Sequence, residues 1–88
     1  MIVVFSPTAW AEFRYFQSNA PDVAHRIAEL IDNIAQDPFR GLGKPEPLKH
    51  EFAGFWSRRI TGEHRLVYRV SAAGRERRVE VAQCRYHY

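Results

Sequence analysis

The sequence predicts an α+β fold, in which two N-terminal helices pack on one face of a small antiparallel sheet. Two observations predict it: apolar residues recur at helical spacing up to about residue 36, and three strand-like runs separated by glycines follow. A chain of 88 residues forms a single domain, residues 1–88, with one modest core. The predicted element order is β-α-α-β-β-β, with the helices segregated to one side of the sheet.

The first part of the chain predicts one strand and two helices. The β-branched and aromatic run Ile2–Phe5 predicts the strand. Ser6 supplies a capping hydroxyl and Pro7 suits a first helical position, which predicts a helix to about residue 18. A second helix is predicted to begin at Pro21 and to end at Asp37. Its apolar stripe steps by three and four residues: Val23, Ile27, Leu30, Ile31 and Ile34.

The second half predicts a loop followed by a three-stranded meander. Residues 40–49 contain two glycines and two prolines, so we expect no regular structure there. Gly62 and Gly74 mark the two turns between the strands. The strands are predicted over residues 54–61, 64–71 and 77–87.

Alternation along each strand assigns every side chain to one of two sheet faces. The face that meets the helices is predicted to hold Trp56, Ile60, Leu66, Tyr68, Val70, Ala82, Cys84 and Tyr86. The face that the helices leave open is predicted to gather Arg59, Arg65, Arg69, Arg85 and His87. Arg58 breaks the pattern and is placed at a sheet edge, and a one-residue bulge would invert part of the assignment.

Charge is distributed unevenly along the chain. Residues 1–39 hold two basic and five acidic residues (−3), whereas residues 40–88 hold eleven Lys and Arg against five acids (+6). A positive field favours polyanions, although a solvated basic surface that binds nothing fits the composition equally well.

The single cysteine, Cys84, excludes an intramolecular disulfide, and no metal-ligand spacing is present. We therefore expect a reduced, soluble, cytoplasmic protein with no metal, no cofactor and no membrane partner.

The basic face and the loop before it could together cleave RNA without a metal ion. Such cleavage needs a base that takes the proton of the 2′-OH, cations that stabilise the transition state, and an acid that protonates the departing 5′ oxygen. Glu46, between two lysines in the proline-rich loop, fits the base, and His87 fits the acid. The predicted cations are Arg65, Arg59 and Lys49.

The same residues also allow a structural interpretation. Glu46 can be a surface acid paired with Lys44 or Lys49, and His87 can belong to a frayed terminus. A non-catalytic RNA- or ribosome-binding module would explain the basic face but gives no reason for Glu46. A protein-interaction subunit, whose basic face meets an acidic partner, is a second alternative. The segment GLGKP is not a phosphate loop, because prolines replace residues that the motif needs. Structural or solvated positions are assigned to the remaining candidates: His25, His64 and Cys84.

Four ordered motifs resemble one known family. They are KPEPLKH at 44–50, GFWSRRI at 54–60, EHRLVY at 63–68 and CRYHY at 84–88. These motifs, together with Trp10 and the DPF segment at 37–39, are similar to the YoeB toxins of the RelE superfamily over essentially the whole chain. The turn at 72–78 is longer and more basic than the family pattern, which leaves its ribosome contact open.

The resemblance implies a microbial-ribonuclease-like fold and a ribosome-dependent mRNA interferase, the toxin of a type II toxin–antitoxin system. It implies cleavage of mRNA in the ribosomal A site, neutralisation by a YefM-like antitoxin, contact with operator DNA only through the antitoxin complex, and a homodimer as one assembly. The positions that match the family's catalytic residues are Glu46, Arg65 and His87. Those expected to bind or orient substrate are Lys49, Arg59 and Tyr88, to which the basic loop and face add Lys44 and Arg85.

Overall fold

A computed structural model describes residues 1–86, apart from the side chain of Ala73, and contains two helices and five strands within that range. In chain order these are β1 (Ile2–Phe5), α1 (Pro7–Asn19), α2 (Pro21–Gln36), β2 (Glu46–Pro47), β3 (Trp56–Arg59), β4 (Arg65–Ala73) and β5 (Glu76–Gln83). A short 3-10 helix, His50–Phe52, lies between β2 and β3. The predicted α+β class, with two helices beside one sheet, is confirmed.

The sheet is mixed, whereas an antiparallel one was predicted. Its order is β1-β5-β4-β3-β2, and β1 pairs parallel with β5, with Phe5 opposite Val81. Ser6 ties this pair together, because its N–H donates to Val81 O (2.9 Å) and its hydroxyl donates to Ala82 O (2.8 Å). The same hydroxyl accepts the N–H of Ala9 (3.0 Å) and so caps α1, as predicted.

The two helices cover one face of the sheet with a common core. The predicted stripe on α2 is confirmed: Ile27, Leu30 and Ile34 are fully buried, and Val23 and Ile31 pack against them. The strands and the residues that directly follow β3 and β5 contribute Ile60, Leu66, Tyr68, Val79, Val81 and Cys84 to this core. Neither described helix is long and apolar enough to cross a membrane.

A β-bulge changes the face assignment near the end of β5. The register passes from Tyr68 opposite Val81 to Val67 opposite Gln83, which leaves Ala82 as an extra residue. Both Val81 and Cys84 therefore reach the core, and the assignment of Ala82 to the helix face was wrong. The strand ends at Gln83, earlier than predicted, and the predicted end at residue 87 lies outside the described residues.

Candidate functional site

A short edge strand places Glu46 beside β3. Within the loop 40–49, which was predicted to be irregular, Glu46 and Pro47 form β2, and Glu46 lies opposite Ser57. The prediction was wrong for these two residues because a proline is tolerated at a sheet edge. Gly43 (φ 78°) accepts the N–H of Arg59 at 2.7 Å, and a Cβ on Gly43 would lie 2.9 Å from Arg59 O. Glycine therefore allows the close approach that brings the loop onto β3.

Arg65, the first residue of β4, faces Glu46 across the open face of the sheet. Its Nη1 lies 3.5 Å from Glu46 Oε1 and 3.5 Å from Ser57 Oγ. The arginine side chain is only 15% exposed, whereas that of Glu46 is 55% exposed. The carboxylate is thus accessible to a ligand, while the guanidinium beside it is held in place by the sheet. The predicted juxtaposition of Glu46 and Arg65 is confirmed.

Three further basic residues predicted at this site lie on β3 or next to β2. Arg59 lies opposite Arg65 in the β3–β4 register and is exposed. Lys44 and Lys49, on either side of β2, are exposed as well. Within residues 1–86, none of these three cations forms an ion pair, so the pairing of Glu46 with either lysine is not observed. Their charge is therefore available to an anion.

Arg58 was predicted to lie at an edge, and that prediction was wrong. Its side chain is fully buried on the helix side of β3, which has neighbouring strands on both sides. It donates hydrogen bonds to the side chains of Asn33 and Tyr68 and to the carbonyls of Asp37, Arg40 and Leu42. Arg58 therefore anchors the segment that leads into the site. Strand alternation puts Arg58 on the same sheet face as Trp56 and Ile60, and this pattern was the sequence feature that indicated its burial.

Arg85 does not lie with the other arginines, so its assignment to the open face was wrong. That assignment extended the alternation of the last strand to residue 87, but β5 ends at Gln83. Its guanidinium carbon lies 3.9 Å from the ring centroid of Tyr15 on α1 and 4.9 Å from that of Tyr86. These residues line a cavity of about 330 Å³ beside α1. A role of Arg85 in substrate binding stays a prediction.

Arg69 occupies the open face as predicted, but its charge is compensated. It pairs with Glu80 on β5, and its guanidinium lies over the ring of Phe55 at 5.1 Å. Together with Val4 and Ser6, these side chains line a shallow cavity of about 270 Å³. This part of the face is consequently less cationic than the part around Arg65.

The structural assignments of two other candidates are confirmed. His64 is 8% exposed and packs between the rings of Phe16 and Tyr86. Cys84 is fully buried, and burial, with a smaller effect from the carboxylate of Glu12, raises the pKa of its thiol to about 12. In residues 1–86, no group of three or more His, Cys, Asp or Glu could hold a metal ion.

Two predicted site residues, His87 and Tyr88, lie outside the described residues. Among the described residues, the structure brings the predicted base, Glu46, beside Arg65, and places Arg59 opposite Arg65 in the sheet. The role of the terminal pair stays a prediction.

Two helices on one face of a five-stranded mixed sheet match the fold of YoeB- and RelE-type toxins. Residues 5–88 match the family described as "YoeB-like toxin of bacterial type II toxin-antitoxin system". The chain belongs to this family and is therefore a toxin of a type II toxin–antitoxin system.

Individual relatives agree with this family. Toxin YoeB of Escherichia coli K12 is 47% identical over 88 residues, which cover both chains completely. The structure of a YoeB/ParE toxin from Agrobacterium tumefaciens is 50% identical, covers both chains completely and has a TM-score of 0.95. YoeB from Staphylococcus aureus is 40% identical, with 100% of this chain and 98% of that one covered. It has been solved as a dimer (TM-score 0.89) and in a heterotetrameric YoeB-YefM complex (TM-score 0.88).

Proposed function

We propose that this toxin is a metal-independent endoribonuclease that cleaves mRNA in the ribosomal A site. The observation that carries the proposal is the pair on the open face: an accessible Glu46 carboxylate 3.5 Å from the largely buried guanidinium of Arg65. A purely binding surface for RNA has no use for a carboxylate at its centre, because the acid repels phosphate. A general base beside a fixed cation, by contrast, suits phosphoryl transfer.

In the proposed reaction, the carboxylate of Glu46 removes the proton from a ribose 2′-OH. The resulting O2′ forms a bond to the adjacent phosphorus, and the P–O5′ bond breaks. Arg65 stabilises the negative charge that develops on the phosphate oxygens. His87 donates a proton to the departing 5′ oxygen, so that the products are a 2′,3′-cyclic phosphate and a 5′-hydroxyl end. DNA lacks the attacking hydroxyl and would not be cut.

Arg59, Lys49 and Lys44, which have no ion-pair partner among residues 1–86, define the proposed substrate groove. Arg59 and Lys49 would bind the phosphates on either side of the scissile bond, and Lys44 would extend the same positive field. Tyr88 would stack on a base. Arg85, which lies against Tyr15, would take part only at the margin of this groove.

We also propose a YefM-like antitoxin as the cognate partner, because the S. aureus relative forms a YoeB-YefM complex. The dimer of the same relative supports a homodimer as one assembly of this chain. Operator DNA would be contacted only through the antitoxin complex. An acidic antitoxin segment that folds on the basic face would keep the toxin inactive.

The test is cleavage of mRNA by the pure protein in the presence of translating ribosomes, with the new RNA ends mapped and chemically identified. We expect cleavage within ribosome-bound codons that leaves cyclic-phosphate ends. Glu46→Gln should lower the rate by about 10²–10⁴-fold. Glu51→Gln, the same substitution at an exposed acid nearby, is the matched control and should leave the rate unchanged.

Equal rates for the two variants would remove Glu46 from its role as base. Products with 5′-phosphate ends would contradict transfer through the 2′-OH. Ribosome binding without cleavage by the unsubstituted protein would identify a non-catalytic RNA- or ribosome-binding module instead.

A further inference from the structure

The last described residue, Tyr86, is held through its backbone. The chain leaves β5 after Gln83, and Tyr86 adopts a left-handed conformation (φ 61°). Its N–H donates to Nδ1 of His64 at 2.8 Å, and its carbonyl accepts the N–H of Arg65 at 3.2 Å. His64, just before β4, and Arg65, its first residue, therefore bind both backbone polar groups of Tyr86.

The ring of His64 is itself fixed from several sides. Its centroid lies 4.9 Å from that of Phe16 and 5.2 Å from that of Tyr86. The backbone of His64 is bound by Thr61, whose hydroxyl accepts its N–H at 3.1 Å, and by Ile60, whose N–H donates to its carbonyl at 3.0 Å. The imidazole is thus a rigid acceptor.

This network determines the tautomer of the neutral ring. Because Nδ1 accepts the N–H of Tyr86, the proton of a neutral His64 must lie on Nε2. The carboxylate of Glu63 stands beside that nitrogen, with Oε1 3.1 Å from Nε2. Glu63 therefore favours the tautomer that leaves Nδ1 free to accept.

We propose that His64 is a positioning residue, which fixes the chain end by accepting the N–H of Tyr86. Its catalytic consequence rests on the proposed function, because the residue that follows is His87, the proposed acid. The backbone N–H of Arg65, the proposed cation, donates to the carbonyl of the same Tyr86. His64 and Arg65 thus connect the open face of the sheet to the residue that precedes His87. A catalytic group misplaced by about 1 Å can lose about 10²-fold in rate, and such an anchor prevents this loss.

Packing alone would be the simpler role of a histidine that is 8% exposed, and two variants separate the roles. His64→Phe keeps a ring against Phe16 and Tyr86 but removes the acceptor. His64→Asn loses most of the ring but keeps an oxygen close to the position of Nδ1. If the acceptor matters, Asn should rescue function better than Phe; if only packing matters, the order reverses.

The first measurement uses NMR on the free protein and requires no RNA. In the unsubstituted protein, long-range proton–nitrogen correlations should show His64 protonated at Nε2, and the amide of Tyr86 should be protected from exchange. His64→Phe should lower that protection by about 5- to 10-fold, since a single net hydrogen bond is lost. A ring protonated at Nδ1, or unchanged protection of the Tyr86 amide in His64→Phe, would overturn the proposal.

The second measurement is mRNA cleavage on ribosomes. His64→Phe should lower kcat by roughly 10- to 100-fold with little change in KM, because the groove cations are untouched. His64→Asn should stay within about threefold of the unsubstituted protein, where the acceptor is kept. A loss in His64→Asn that equals that in His64→Phe would overturn the positioning role, and a larger loss in His64→Asn would assign His64 a packing role. If the unsubstituted protein does not cleave RNA, the proposed function fails, while the NMR result still decides whether His64 anchors Tyr86.

Discussion

Replacing Arg58 by methionine would remove a buried guanidinium on which one wall of the site depends. Its five hydrogen-bond acceptors belong to Asn33, Asp37, Arg40, Leu42 and Tyr68. Three of these are carbonyls of exposed residues, which water can reach once the loop relaxes. The hydroxyl of Tyr68 still donates to Pro38 O, and Asn33 Oδ1 still accepts the N–H of Leu42, so neither group is left without a partner. Each of these two side chains does lose a hydrogen bond from a buried charged group, and such a bond contributes about 1.5–3 kcal/mol. We therefore expect Arg58→Met to lower the free energy of unfolding by about 3–5 kcal/mol.

The assay is urea unfolding followed by circular dichroism, with Arg59→Met as the matched control. Arg59 is the same residue type at the next position, but it is exposed and has no ion-pair partner within residues 1–86. Arg59→Met should change the free energy of unfolding by no more than about 0.5 kcal/mol. For a chain of this size, the loss in Arg58→Met corresponds to a decrease in Tm of more than about 12 °C.

The two variants should also separate stability from activity. Arg59→Met should weaken substrate binding in a protein that stays folded, whereas Arg58→Met should lose activity because the loop that holds Glu46 is no longer anchored. If Arg58→Met unfolds at the same urea concentration as Arg59→Met, the buried network does not contribute as the structure implies.

Three further predictions concern the reaction, the chain end and the alkaline limit of stability. Arg65→Ala should lower the cleavage rate by about 10²–10³-fold in a folded protein, and near-full activity would exclude it from charge stabilisation. A protein lacking His87 and Tyr88 should lose cleavage but keep its melting temperature and its antitoxin affinity, and native cleavage by that protein would move the acid elsewhere. The raised pKa of Cys84 keeps its thiol protonated in the folded state while the unfolded thiol ionises near 9.0. The free energy of unfolding should therefore decrease as pH rises from about 9 to 12, by at most about 1.4 kcal/mol per pH unit, and Cys84→Ala should lack this contribution.

Local patterns were sufficient to predict the helices and the core stripe. The Ser6 cap and the apolar period of α2 act over a few residues, and the structure confirms both. The direction of β1 and the extra residue Ala82 depend on contacts between the two ends of the chain, and alternation within one strand contains no information about them. The predictions of an all-antiparallel sheet and of Ala82 on the helix face were wrong for this reason, whereas the prediction for Arg85 was wrong because β5 ends at Gln83.

For the candidate site too, the predictions that rested on local sequence patterns agree with the structure, whereas contacts with distant backbone groups were not predicted. Glu46 and Arg65 were predicted together because a proline-rich loop led into a basic sheet face, and their 3.5 Å contact agrees with this. Strand alternation indicated the burial of Arg58, but its partners could not be predicted, because three of them are backbone carbonyls, which every residue type possesses. The anchor at His64 depends equally on a backbone N–H, that of Tyr86.

The parallel pairing of β1 with β5 has a consequence for biosynthesis. The hydroxyl of Ser6 and the carbonyl of Ala82 are 76 residues apart in sequence, and the strand made first finds its partner only when β5 has been made. A chain interrupted before Val79 lacks that partner and three core residues, Val79, Val81 and Cys84, so its core is incomplete. Such fragments would remain unfolded and open to proteases. The order of the strands thereby makes folding of the toxin depend on translation through β5.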